Sequence, residues 1–167
     1  MGARASASVR IAAPASGAIY AQMLAGASRA ISIREIIVVT RTAVPTDLAI
    51  ARSFSVGTAS ADNVATGVAH RKPRQTDLDG TVEIGWGTSP SGPTGAHSYL
   101  RRELVGGGFS GAATGMRHIM WSEMDGPLAV EPTGATGAGL LLVNVGSAAG
   151  AALDVIVTWE YGPIADR

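Results

Sequence analysis

Along most of this chain apolar residues recur at every second position, the spacing that puts them on one face of a pleated strand. Val9, Ile11 and Ala13 alternate in this way before Pro14 and Gly17 end the run, and a second strand is expected over residues 18–24. Residues 29–41 make the longest run. Ile31, Ile33, Ile37 and Val39 are predicted on one face, and Ser32, Arg34, Ile36, Val38 and Thr40 on the other. The second half is apolar on both faces, as for a strand covered from both sides. Further strands are expected over residues 81–86, with Val82, Ile84 and Trp86 together, and over 97–105, 116–123 and 128–131. The clearest pair is 139–145 and 151–161, separated by Gly146-Ser147-Ala148-Ala149-Gly150, a loop suited to a hairpin. In the second of these, Leu153, Val155, Val157, Trp159 and Tyr161 face one way. Asp154, Thr158 and Glu160 face the other, with Ile156 the exception.

Helical signals are nearly absent. Val44-Pro45-Thr46-Asp47 leading into residues 48–52 reads either as one capped helical turn or as a strand with Leu48, Ile50 and Arg52 on one face. About eight short strands separated by Gly, Pro, Ser and Thr predict an all-β, antiparallel β-sandwich of jelly-roll type, with a β-barrel as the alternative. Long Gly-rich loops are expected over 55–80, 87–96 and 106–115. The Ala/Ser/Gly-rich residues 1–8 are read as a flexible N-terminal arm, and 9–167 as a single domain.

Composition narrows the function. With 22 glycines and 8 prolines in 167 residues, the chain is richer in turn formers than the usual share of about 12%. Charged residues are only 16%, balanced at 13 Lys+Arg against 13 Asp+Glu. That balance argues against a dedicated nucleic-acid binder, and the absence of cysteine excludes a disulfide scaffold and a zinc–thiolate site. No apolar run reaches the ~20 residues a spanning helix needs, and no signal-peptide pattern opens the sequence. No membrane role is therefore expected.

Motifs that could carry chemistry are incomplete. Gly106-Gly107-Gly108-Phe109-Ser110-Gly111 fits a dinucleotide-binding spacing but lacks the strand–helix context that cradles a pyrophosphate. Gly108-Phe109-Ser110-Gly111-Ala112 misses the last glycine of a nucleophile elbow. His70, His97 and His118 have no spacing that presents two of them to one metal from a single element. Asp77 and Asp79 before Gly80 match only a fragment of a calcium loop. No catalytic residue, cofactor or metal site is expected, and the chain is not read as an enzyme. Candidate interface residues are Trp86 and Trp121, as aromatic anchors, and the basic run of Arg71, Lys72 and Arg74, which suits an acidic patch on a protein neighbour. Tryptophans at strand ends also allow sugar stacking, which keeps a carbohydrate-binding module as an alternative.

The last third of the sequence resembles a known group. Pro127, Leu128, Val130 and Gly134 form a turn followed by a strand ending Leu142-Val143-Asn144. A small-residue loop then leads to Gly150, Ala151, Leu153, Asp154, Val155, Val157, Trp159 and Glu160. Ile33-Arg34-Glu35-Ile36 and Gly85-Trp86-Gly87-Thr88-Ser89-Pro90 add to the likeness. In these patterns the chain is similar to small β-sandwich virion proteins of tailed bacteriophages, in particular capsid decoration (cement) proteins. The resemblance implies a structural protein on the outer surface of the capsid. Its partners would be the major capsid protein and further copies of itself, as a homotrimer. Tail and head-fibre roles remain the alternatives, and the group has no catalytic residues to carry over.

Overall fold

Strands form where the alternation is strongest, and they pair into two antiparallel sheets. The computed structural model describes residues 3–11, 16–17, 19–24, 30–53, 83–85, 98–106, 115–130 and 139–161. Among them are β1 (Ala3–Ile11), β2 (Ile19–Leu24), β3 (Ile31–Thr40), β4 (Thr46–Ser53) and β5 (Glu83–Gly85). There follow β6 (Ser98–Val105), β7 (Arg117–Trp121), β8 (Leu128–Val130), β9 (Gly139–Asn144) and β10 (Leu153–Tyr161). A single 3-10 turn, Glu123–Asp125, separates β7 from β8. The first sheet has the order β1-β10-β3-β7, with β8 pairing β3 beside β7; the second has the order β5-β2-β9-β4-β6. Setting aside the short β5 and counting β7 and β8 as one broken strand, eight strands distribute between the sheets in jelly-roll order.

The core lies between the sheets. Leu153, Val155, Val157 and Trp159 of β10 are buried in it, while Asp154, Ile156, Thr158 and Glu160 are half-exposed, as their alternation predicts. Leu48 and Ile50 join them from β4, so the ambiguous segment around Thr46 is a strand. Leu140 and Leu142 of β9 face the same core. Their neighbours Leu141 and Val143 form a smaller buried cluster with Ile19 and Ala51. A strand apolar on both sides fits its place between β2 and β4.

Three expectations change. Ile31 and Ile33 face the core, but so do Ile36 and Val38 rather than Ile37 and Val39. The cause is a β-bulge: Trp159 pairs Ile33 and Thr158 pairs Glu35, leaving Arg34 as an extra residue that reverses the phase of the strand. The expected hairpin of β9 and β10 does not form. β9 lies in the second sheet and β10 in the first, and their connection crosses between the layers. Finally, the arm expected over residues 1–8 is, from Ala3 onward, the start of β1, with Ala3 to Ser8 pairing Tyr161 to Ile156. Ala3, Ala5, Ala7, Val9 and Ile11 alternate with Arg4, Ser6, Ser8 and Arg10 at strand period. Of the long loops, residues 55–80, 87–96 and 107–114 lie outside the described residues.

The crossing between layers is held from both sheets. Ser16 Oγ donates to the Gly146 carbonyl at 2.6 Å, and Asn144 Nδ2 to that of Ala148 at 2.9 Å. The Ala151 amide donates to Thr46 Oγ1 at 2.6 Å, while the buried Tyr20 hydroxyl donates to the Ala151 carbonyl at 2.6 Å. Burial pushes the Tyr20 phenol up to about 12, so it stays a donor across the working pH range. Gly150 sits against this network, and a Cβ there would overlap the Tyr20 hydroxyl and press on Thr46 Cγ2. Gly150→Ala is therefore expected to lose about 1–3 kcal/mol of stability through overpacking. Chemical denaturation should show a lower midpoint with an unchanged slope.

Candidate interaction surfaces

The strand order leaves two edges side by side. Among the described residues, β6 ends the second sheet and β7 ends the first. Arg101 Nη1 bridges them by donating to Asp125 Oδ2 at 3.2 Å. By register, Arg101, Glu103 and Val105 of β6 lie opposite Ile50, Leu48 and Thr46, on the inward face. Val105 is buried, but Arg101 and Glu103 put charge where a further strand would have to close over the core. Bulges at Leu100 and Met120 also break the two edges. Both features discourage pairing with another strand.

Exposed apolar groups gather on this flank. Among the described residues the exposed large hydrophobics are Val44, Tyr99, Leu100, Leu104, Met116, Ile119 and Met124. Six of them lie on β6, β7 or the residues bordering β7. The seventh, Val44, belongs to the turn whose carbonyl would lie 2.9 Å from a Cβ at Gly106, next to the end of β6. Met124 is 97% exposed, Leu104 67% and Tyr99 59%. Single exposed apolar residues are ordinary, but these gather along the two adjoining edges, Tyr99 and Leu104 on the outward face of the second sheet and Ile119 on that of the first.

Trp121 lies on the same flank. Its ring packs partly against the core, and its Nε1 donates to the Gly126 carbonyl at 2.7 Å. In the following turn the Ser122 amide and hydroxyl both donate to Asp125 Oδ2, at 2.9 and 2.8 Å. Those bonds, the hydroxyl's first, hold the Asp125 carboxyl below its ordinary range. Trp86, Arg71, Lys72 and Arg74, the other candidate interface residues, lie outside the described residues.

A second surface is the outward face of the first sheet. Register aligns Arg10, Asp154, Val39 and Arg117 in one row across β1, β10, β3 and β7, and Ser8, Ile156, Ile37 and Ile119 in the next. Arg10 Nε donates to Asp154 Oδ1 at 2.9 Å, and Arg41 Nε to Asp154 Oδ2 at 2.7 Å, so two guanidinium groups share one carboxylate. Farther along, Arg34 Nε donates to Glu160 Oε2 at 2.8 Å. Ser8, Arg10, Val39, Arg41, Asp154 and Ile156 line a shallow depression of about 370 Å³. On the other sheet Arg102 and Asp47 form a paired contact of their own.

The arginines hold their partners ionised. Hydrogen bonding from Arg41 foremost, with Arg10 adding to it, lowers the Asp154 carboxyl, and Arg102 lowers that of Asp47. A carboxyl with a depressed folded-state pKa contributes stability above its unfolded value of about 3.9, which is lost as pH falls through the folded value. The melting temperature should therefore drop as pH falls below about 4. Asp154→Asn should be less stable than the parent at neutral pH. The two melting curves should converge in acid, which thermal scans across pH would reveal.

Of the chemistry-bearing motifs, only Gly106 and His118 lie among the described residues. Gly106 has φ 73 and donates its amide to His118 Nε2 at 3.4 Å, so it serves a turn at the end of β6. The rest of the glycine run lies outside the described residues, as do His70, His97, Asp77 and Asp79. Among the described residues no group of three His, Asp or Glu side chains could hold a metal ion. The arginines of the first sheet were not among the candidates drawn from sequence. Each is isolated in the chain, and they meet only through strand register.

No family model, curated protein or solved structure matches this chain.

Proposed function

We propose that this chain is a bacteriophage structural protein of the capsid decoration type, which binds the assembled head and stabilises it by bridging capsid subunits. The observation that carries the reading is the gathering of exposed apolar side chains on the β6–β7 flank of a sandwich whose edges resist strand addition. Such a flank suits side-chain packing against a folded neighbour. The resemblance of residues 127–160 to virion proteins points the same way, as does a charge content of 16%, since interface cores are depleted in charge. In this reading the flank joins copies of the chain into a homotrimer on the outer surface of the capsid. Bridging there opposes the outward pressure of packaged DNA. Repetition over the shell multiplies modest contacts through avidity.

Purified protein added to heads that lack it provides the test. It should bind them and raise the temperature at which they release DNA. Heads that neither bind it nor gain heat resistance would refute the proposal.

A further inference from the structure

The outward face of the first sheet differs from that of the second in being open and basic at one end. On the second sheet, Ile19, Ala51, Leu141 and Val143 are already buried. On the first, the exposed Arg10 and Arg41 share the one carboxylate of Asp154, and Arg117 is exposed beyond Val39 in the same row, with Ile156 beside them and Ile119 exposed in the next row. Three cations against one anion leave an excess of positive charge on that end of the face. The Arg10 guanidinium uses only Nε in its contact with Asp154. An arginine presents five N–H donors in a planar fork matched to carboxylates, so donors remain for a second acid. The apolar row gives such a partner something to pack on once its carboxylates are held.

We infer that this face docks an acidic protein surface, carboxylates meeting Arg10, Arg41 and Arg117 while an adjoining apolar side chain covers Val39 and Ile156. Charge complementarity selects the occupant, since the excess of arginine on this face calls for a partner that presents carboxylates. As the shell-contacting side of the molecule, the face rests on the decoration reading above. As an acidic-partner site, it can be tested without it.

The experiment compares the intact chain with Arg10→Glu/Arg117→Glu and, as a control, Arg102→Gln on the other sheet. Each is titrated with poly-L-glutamate, with a short DNA duplex and with heads lacking the protein. Binding to poly-L-glutamate should weaken with added salt and by about tenfold or more in the double variant, with the control unchanged. Head binding should fall in parallel. Heads bound equally well by the double variant would overturn the inference and leave the decoration reading intact. Poly-L-glutamate binding that depends on these arginines, with no head binding by the parent, would support the acidic-partner site and refute decoration. DNA bound as tightly as poly-L-glutamate, or no binding to poly-L-glutamate at all, would overturn the inference. Thermal melting of each variant distinguishes lost binding from lost folding.

Discussion

A serine inserted between Val155 and Ile156 is expected to abolish the native fold. β10 is flanked on both sides, by β1 and by β3, so its register is fixed twice. Because side chains alternate with period two, one added residue sends everything on one side of it to the opposite face. Either Leu153 and Val155 leave the core, or Val157 and Trp159 do, and Thr158 and Glu160 take their places. Burying a large apolar side chain contributes about 1.5–3 kcal/mol, and an unpartnered buried polar group costs a similar amount. The combined loss approaches or exceeds the 5–15 kcal/mol that typically separates a folded domain from its unfolded chain. The variant should show neither near-ultraviolet circular dichroism nor cooperative unfolding. Deleting Arg34 supplies the contrast. It removes the extra residue of the bulge and leaves Ile33 and Glu35 adjacent, in register with Trp159 and Thr158. Ile31, Ile33, Ile36 and Val38 then share one face without interruption. Cooperative unfolding should survive that deletion.

Trp159→Ala should have the next largest effect. Trp159 is completely buried and is among the largest of the fully buried side chains. It lies opposite Ile33 on β3 and Ala5 on β1, where the bulge turns the strand. Truncation removes the transfer energy of the ring and leaves a cavity that a rigid sandwich fills poorly, a loss of about 3–5 kcal/mol. The denaturation midpoint should fall accordingly while the slope is unchanged. Thr158→Ala, one position along but on the half-exposed face, should cost well under about 1 kcal/mol. A large difference between these neighbours is the signature of a strand with one buried face.

Those contrasts also mark what the sequence makes legible. β10 reads directly, because charged or hydroxyl residues alternate with Val, Leu and Trp, and only Ile156 departs from the rule. The bulge in β3 is hidden because Ile36 and Val38 are as apolar as Ile37 and Val39. With both phases apolar, the pattern cannot show which one continues from Ile33. β9 and β10 look like a hairpin because loop length is local information. Which sheet each strand joins depends on distant partners, β2 and β4 for one and β1 and β3 for the other. The start of β1 passes for an arm because alanine has a weaker strand signature than valine. Trp121 stands out in the sequence, and its half-buried ring ends β7, packed partly against the core. Arg10, Arg41, Arg117 and Asp154 do not stand out, since a single charge on a strand has no local signature. Their surface exists only once four strands are in register.

In the proposed assembly the first sheet meets two neighbours: the apolar flank at its β7 edge meets copies of the same chain, and its outward face, whose arginine row runs from β1 to β7, meets an acidic partner. Both belong to one proposal, that the chain works in many copies on a capsid, and the number of copies per particle tests it most directly. Quantitative mass spectrometry of purified virions, with the major capsid protein as internal reference, measures that number. Decoration predicts a ratio on the order of one copy per capsid subunit. A handful of copies per particle would place the protein at a tail or vertex and contradict it.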